Sequence, residues 1–125
     1  MRRVVLSLLF SLLLISSALS HHDWEWDFDK EIELTGIIDN VEFGGEHPLM
    51  TLRVPASNGL ALVLETWTIA LSTGYYLDKA GLSKESLVGG TEVTVRGAPA
   101  MGTYDSQSRM LAKYLTIGRI TYKLF

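Results

Sequence analysis

From residue 23 onward, polar and apolar residues alternate with a period of two in segments separated by glycine and proline, a pattern that suits β-strands rather than helices. Between Asp23 and Glu33 the acids Asp23, Glu25, Asp27, Asp29, Glu31 and Glu33 hold the odd positions. Trp24, Trp26, Phe28, Ile32 and Leu34 hold the even ones, and Lys30 is the exception. An extended backbone therefore shows carboxylates on one face and rings on the other. The alternation runs on through Gly36 to Phe43, so one long first strand is expected. Its acidic face reads as a solvated surface whose like charges oppose edge-to-edge pairing, with a cation-binding edge as the alternative.

A second strand is expected over Leu49 to Val54, closed by Pro55-Ala56-Ser57-Asn58-Gly59, where Asn58-Gly59 suits a hairpin turn. Leu60 to Ile69 follows as a third strand, apolar enough at its start to be buried on both faces. The period then changes. Ser72 is placed to cap a helix from Thr73 to Ala80, Gly81 suits a left-handed stop, and Ser83 to Leu87 reads as one further turn. Gly89-Gly90 leads to a fourth strand, Glu92 to Ala98. Pro99 to Gln107 forms a loop, Arg109 to Ile117 a fifth strand, and Gly118-Arg119 turns into a last strand, Ile120 to Phe125. Three strands, a helix and two or three strands is the order of a mainly β, OB-fold-like barrel of five to six strands, with its helix between strands 3 and 4.

The N-terminus belongs to a different grammar. Arg2 and Arg3 precede the apolar run Val4 to Ile15, broken only by Ser7 and Ser11, and Ser16 to Ser20 is small and polar: the three parts of a secretory signal peptide. The run is shorter than the roughly 20 residues that cross a bilayer, so residues 1–20 are expected to be removed and no stable membrane insertion to follow. The alternative cuts fall after Ala18 or Leu19. Residues 21–125 are then one domain, periplasmic or secreted. About 105 residues bury roughly 60 to 65% of their unfolded surface, enough for one core. Loss of Arg2 and Arg3 leaves nine basic and 14 acidic residues and moves the net charge from −3 to −5, which argues against nucleic acid as a partner. The absence of cysteine removes disulfides, thiolate metal sites and thiol catalysis together.

His21-His22, Phe28-Asp29, Thr35-Gly36, Val41-Glu42-Phe43, His47, Trp67, Leu77, Gly81, Leu87, Gly90 and Gly118-Arg119 together resemble the exported bacterial domain-of-unknown-function family 6152 over nearly the whole mature chain. The resemblance implies a paired histidine after the signal and an aromatic-x-Asn-Pro-His segment after the first strand, with no established activity. Here that segment reads Phe43-Gly44-Gly45-Glu46-His47, so the histidine is kept and Asn-Pro is replaced by Gly45-Glu46. An acidic residue typical of the stretch after the tryptophan is missing, with Ala70 in its region. The resemblance implies an architecture more than a function.

The chain's three histidines, His21, His22 and His47, are its candidate metal ligands, because two or three neutral imidazoles suit copper(II) or zinc(II). Cleavage before His21 lets its α-amine and imidazole chelate one metal, as in a histidine brace. Cleavage before Ser20 makes His22 the third residue, another copper-binding terminus. Glu46, Asp23 and Glu25 are candidate supporting ligands. The alternative is that the paired histidines are a solvated terminus and His47 a loop residue beside Pro48. Catalysis is not expected: no Gly-x-Ser-x-Gly occurs after the signal, and Gly44-Gly45 and Gly89-Gly90 do not make a phosphate-cradling loop. The competing reading is a ligand-binding or protein-interaction module using Trp24, Trp26, Trp67, Tyr75, Tyr76 and Tyr104 to stack on a sugar or apolar ligand. For Trp67 core packing is expected instead, and for Tyr75-Tyr76 one ring in and one out.

Overall fold

The computed structural model describes residues 25–56, 63–101 and 108–125. The expected signal peptide, His21, His22, Trp24, the Asn58-Gly59 turn, the start of the expected third strand and Tyr104 lie outside the described residues. The strands are β1 (Ile32–Glu42), β2 (Leu49–Pro55), β3 (Leu64–Ala70), β4 (Glu92–Pro99), β5 (Arg109–Ile117) and β6 (Ile120–Lys123), with helix α1 (Gly74–Ala80) between β3 and β4. Their order in the sheet is β3-β2-β1-β4-β5-β6. A parallel pairing of Thr68–Ala70 with Arg109–Leu111 joins β3 to β5 and closes five strands into a barrel, leaving β6 as an extra strand on β5. This is the OB-like mainly β architecture that the element order implies.

β1 serves both halves of the barrel. Ile37 to Glu42 pair with β2, while Ile32 to Ile37 pair with β4, so the strand must pass from one sheet half to the other. Gly36 stands at that crossing, where a Cβ would press on the Arg53 carbonyl and lie 3.0 Å from Leu52 Cγ. The core follows the inward positions: Met50, Leu52 and Val54 on β2, Val93 and Val95 on β4, Met110, Ala112 and Leu115 on β5. On β5 the inward spacing skips from two to three between Ala112 and Leu115. The pairing explains it: Arg96 faces Tyr114 and Gly97 faces Ala112, so Lys113 is the extra residue of a β-bulge.

Helix α1 closes one end by burying Leu77, joined in the core by Leu82 and Leu87. Gly81, at φ +89°, reverses the chain, and the amides of Gly81 and Leu82 donate to the Asp78 and Leu77 carbonyls, satisfying two of the helix's last acceptors. The cap at the other end differs from expectation. Thr73 is the N-cap residue, without a side-chain hydrogen bond, and Ser72 is buried. Tyr75 and Tyr76 are both exposed, meeting edge to face at 5.3 Å, because a seven-residue helix turns only the Leu77 stripe inward.

Two other expectations are corrected. The first strand does not run unbroken from Asp23: the chain turns at Asp27–Lys30, where Lys30 N–H donates to the Asp27 carbonyl and Asp29 N–H to the Asp27 carboxylate. Before the turn, Trp26 bridges to Ala100, and amides of Asp27 and Met101 bond the Pro99 and Glu25 carbonyls, so this segment continues the edge beyond β4. The turn swings Phe28 into solvent, 69% exposed, although its parity places it with the buried rings. The expected burial on both faces does not hold where the third strand is described, from Val63 onward. Val63 and Leu64 are about half exposed, because β3 pairs with β5 only from Thr68 onward and its first residues project past that contact.

Candidate functional site

His47, the third candidate ligand, is exposed in the β1–β2 loop, whose far end is tied down by the Leu71 N–H bond to the Pro48 carbonyl. Glu25, the described residue nearest the paired histidines in sequence, lies beyond the other end of β1, paired with Met101. Among the described residues, no group of three or more His, Cys, Asp or Glu is placed to hold a metal. None of their helices is long and apolar enough to cross a membrane. Of the candidate stacking aromatics, Trp67 packs half-buried against the core, its indole N–H buried without a hydrogen-bond partner among the described residues, and Trp26 is half-buried at its bridge.

A different cluster forms on the outer face of β1, β4, β5 and β6. Strand pairing sets Thr35 opposite Thr94, Thr94 opposite Thr116, and Thr116 opposite Thr121, so one threonine from each of four adjacent strands stands in a single row. The hydroxyls of Thr35 and Thr94 are 2.8 Å apart and those of Thr116 and Thr121 2.9 Å apart. Neighbouring strands are about 4.8 Å apart, which makes the row about 14 Å long. The next row on the same face is Glu33, Arg96, Tyr114 and Lys123. Between the rows lies a groove of about 240 Å³ lined by Glu33, Thr94, Arg96, Tyr114, Thr116 and Thr121.

The second row holds its charges in place through an aromatic ring. The Arg96 guanidinium lies 4.4 Å from the centre of the Tyr114 ring, and the Lys113 ammonium 5.7 Å from it. Each such contact contributes about 0.5 to 1 kcal/mol where water reaches it. Arg96 also pairs with Glu31 at 3.7 Å, with both side chains about half exposed, a contact in the range of about 0 to 1 kcal/mol. Lys113 follows Ala112 and precedes Tyr114, and in a regular strand it would point away from Tyr114. The bulge puts the two on the same face.

This face presents hydroxyls, one carboxylate, one guanidinium and one phenol ring, with no histidine or cysteine among the groove-lining residues. Such a set offers many weak, directional hydrogen bonds. Reasoning from residue order misses it, because Thr35, Thr94, Thr116 and Thr121 are scattered in sequence and only the register lines them up. The signal that was available is the consecutive pair Lys113-Tyr114, which interrupts the alternation of β5.

The model of a family of unknown function, DUF6152, matches residues 10–107. No curated protein matches the chain significantly.

Proposed function

The chain belongs to DUF6152, a family of unknown function, and from its surface chemistry we propose that it is an exported, non-catalytic binding module for an extended, hydroxyl-rich ligand such as an oligosaccharide. The observation that carries this reading is the in-register row Thr35–Thr94–Thr116–Thr121 beside a polar groove. Threonine hydroxyls both donate and accept, as sugar hydroxyls do, and a carboxylate such as that of Glu33 can accept from two adjacent hydroxyls of a ligand. At about 240 Å³ the groove is smaller than the roughly 300 to 1,000 Å³ of sites that enclose a whole ligand. It suits one unit of a longer chain lying across the strands. Export is supported by the signal-like N-terminus, and an exported module would meet cell-envelope or extracellular glycans.

Titration of the exported protein with oligosaccharides of defined length tests the reading. Affinity should rise with length until the ligand covers the row, then level off. Thr94→Val with Thr116→Val should weaken binding at least about tenfold with the thermal midpoint nearly unchanged, because the side chains remain β-branched while two hydroxyls are lost. A set of neutral and acidic oligosaccharides that all fail to bind, or an affinity indifferent to the double substitution, overturns the proposal.

A further inference from the structure

We propose that the groove's ligand carries carboxylates, and that Arg96, Lys113 and Lys123 form the subsite that receives them; this inference rests on the binding-module reading and deepens it. Two of the chain's 11 basic residues lie over one ring and a third is that ring's cross-strand neighbour, although the net charge is −3. Arg96 and Lys113 lie 4.4 and 5.7 Å from the Tyr114 ring centre, and Lys123 is the register partner of Tyr114 on β6. Lys113 and Tyr114, consecutive in sequence, share this face only because of the β5 bulge. Bulges recur next to functional sites, where they re-aim a side chain. A regular β5 continuing from Met110 and Ala112 would put Tyr114 on the inner face, away from Lys113 and Arg96.

The form of the Arg96 contact points to carboxylate. The guanidinium lies over the Tyr114 ring, 4.4 Å from its centre, and carries its N–H donors in a fixed planar fork. Two parallel N–H groups match the two oxygens of a carboxylate. Glu31 holds Arg96 at 3.7 Å, longer than a hydrogen bond, and half exposed; a ligand carboxylate can take its place without opening a buried ion pair. Glu33 sits on β1 and Glu31 immediately precedes that strand, while the cations sit on β4, β5 and β6, so charge divides across the face. A ligand is thereby oriented: its carboxylate lies toward β5 and β6, and its hydroxyls along the threonine row. A uronic-acid oligosaccharide has this arrangement, with a pendant acid on each hydroxyl-bearing unit.

The test compares oligogalacturonate with the same oligomer fully methyl-esterified, which keeps the backbone and removes the charge, and adds poly(glycerol phosphate) as the phosphate source of anionic oxygens. The acidic oligomer should bind at least about tenfold more tightly than its ester, the preference should shrink as salt rises from 50 to 500 mM, in the range where screening shortens from roughly 14 to 4 Å, and Arg96→Gln with Lys113→Gln should abolish it. Lys113→Gln alone should reduce it with the fold intact by circular dichroism. Equal binding of acid and ester overturns the inference and leaves the binding-module reading standing. Tighter binding of poly(glycerol phosphate) overturns the carboxylate assignment. Failure of all three ligands to bind overturns both.

Discussion

Substituting Gly97 by alanine tests the close approach of β4 and β5 from which the bulge arises. A Cβ at this position presses directly on the Leu111 carbonyl oxygen and lies 2.9 Å from its carbon and 3.0 Å from the Cα of Ala112. All three are backbone atoms of the partner strand, so no rotamer change relieves the clash, and the ladder must part where Gly97 pairs with Ala112. Overpacking by a methyl group costs about 1 to 3 kcal/mol when side chains can adjust, and a rigid backbone neighbour puts this site at the top of that range. The reduced freedom of the unfolded chain returns about 0.4 to 1 kcal/mol, for a net loss of roughly 2 to 3 kcal/mol. For a domain of this size that lowers the melting midpoint by about 8 to 20 °C. Urea unfolding followed by tryptophan fluorescence gives the number. Gly44→Ala is the control, since a Cβ there has nothing within 4 Å, and its change should stay within about 0.5 kcal/mol. A Gly97→Ala protein within about 1 kcal/mol of the wild type refutes the bulge geometry and, with it, the placement of Lys113 beside Tyr114.

Trp67→Ala should cost about 2 to 4 kcal/mol, because the half-buried ring packs on the core. Trp67→Phe should cost below about 1 kcal/mol, since it also removes a buried N–H that has no partner among the described residues; equal costs in urea unfolding would show that this N–H is bonded. A fusion of residues 1–25 to a reporter should be exported and trimmed near Ser20, and a reporter that stays in the cytoplasm refutes the signal peptide. Copper binding by the paired histidines is a separate proposal, to be read by competition titration against the His21→Ala, His22→Ala double variant; indistinguishable affinities end it. If copper binds, affinity should fall as pH drops through roughly 6.5, where imidazole takes up the proton that competes with the metal. His47→Ala should leave that affinity unchanged, because Glu25 and His47 lie beyond opposite ends of the 11-residue β1.

What was legible locally concerned single segments. Glu92 to Ala98 and Arg109 to Ile117 read as strands from their alternation and form strands, to within a residue. Gly81 takes the left-handed φ that its stop was expected to need, and Gly118 stands at the expected turn, also at positive φ. The order of strands and helix then leaves few ways to close a barrel, and the chain adopts the expected one. Segments whose fate depends on a distant partner were not legible. Asp23 to Glu33 alternates as well as any strand, yet an Asp27 turn and pairing with Pro99–Met101 divide it, because a two-residue period states that a chain can be extended and not what it extends against.

The sequence by itself determined the segments and the turns, through side-chain periodicity and backbone sterics that act within a few residues. It also set the inventory of chemistry: no cysteine, three histidines, and an acidic charge balance. Only the tertiary structure decided which side chains became neighbours. Pairing across four strands brought Thr35, Thr94, Thr116 and Thr121 into one row, and the bulge at Lys113 set Tyr114 on the same face as Lys113, beside Arg96. Register is a property of two strands at once, fixed when both bury their apolar faces in a common core, and the candidate site is assembled from register.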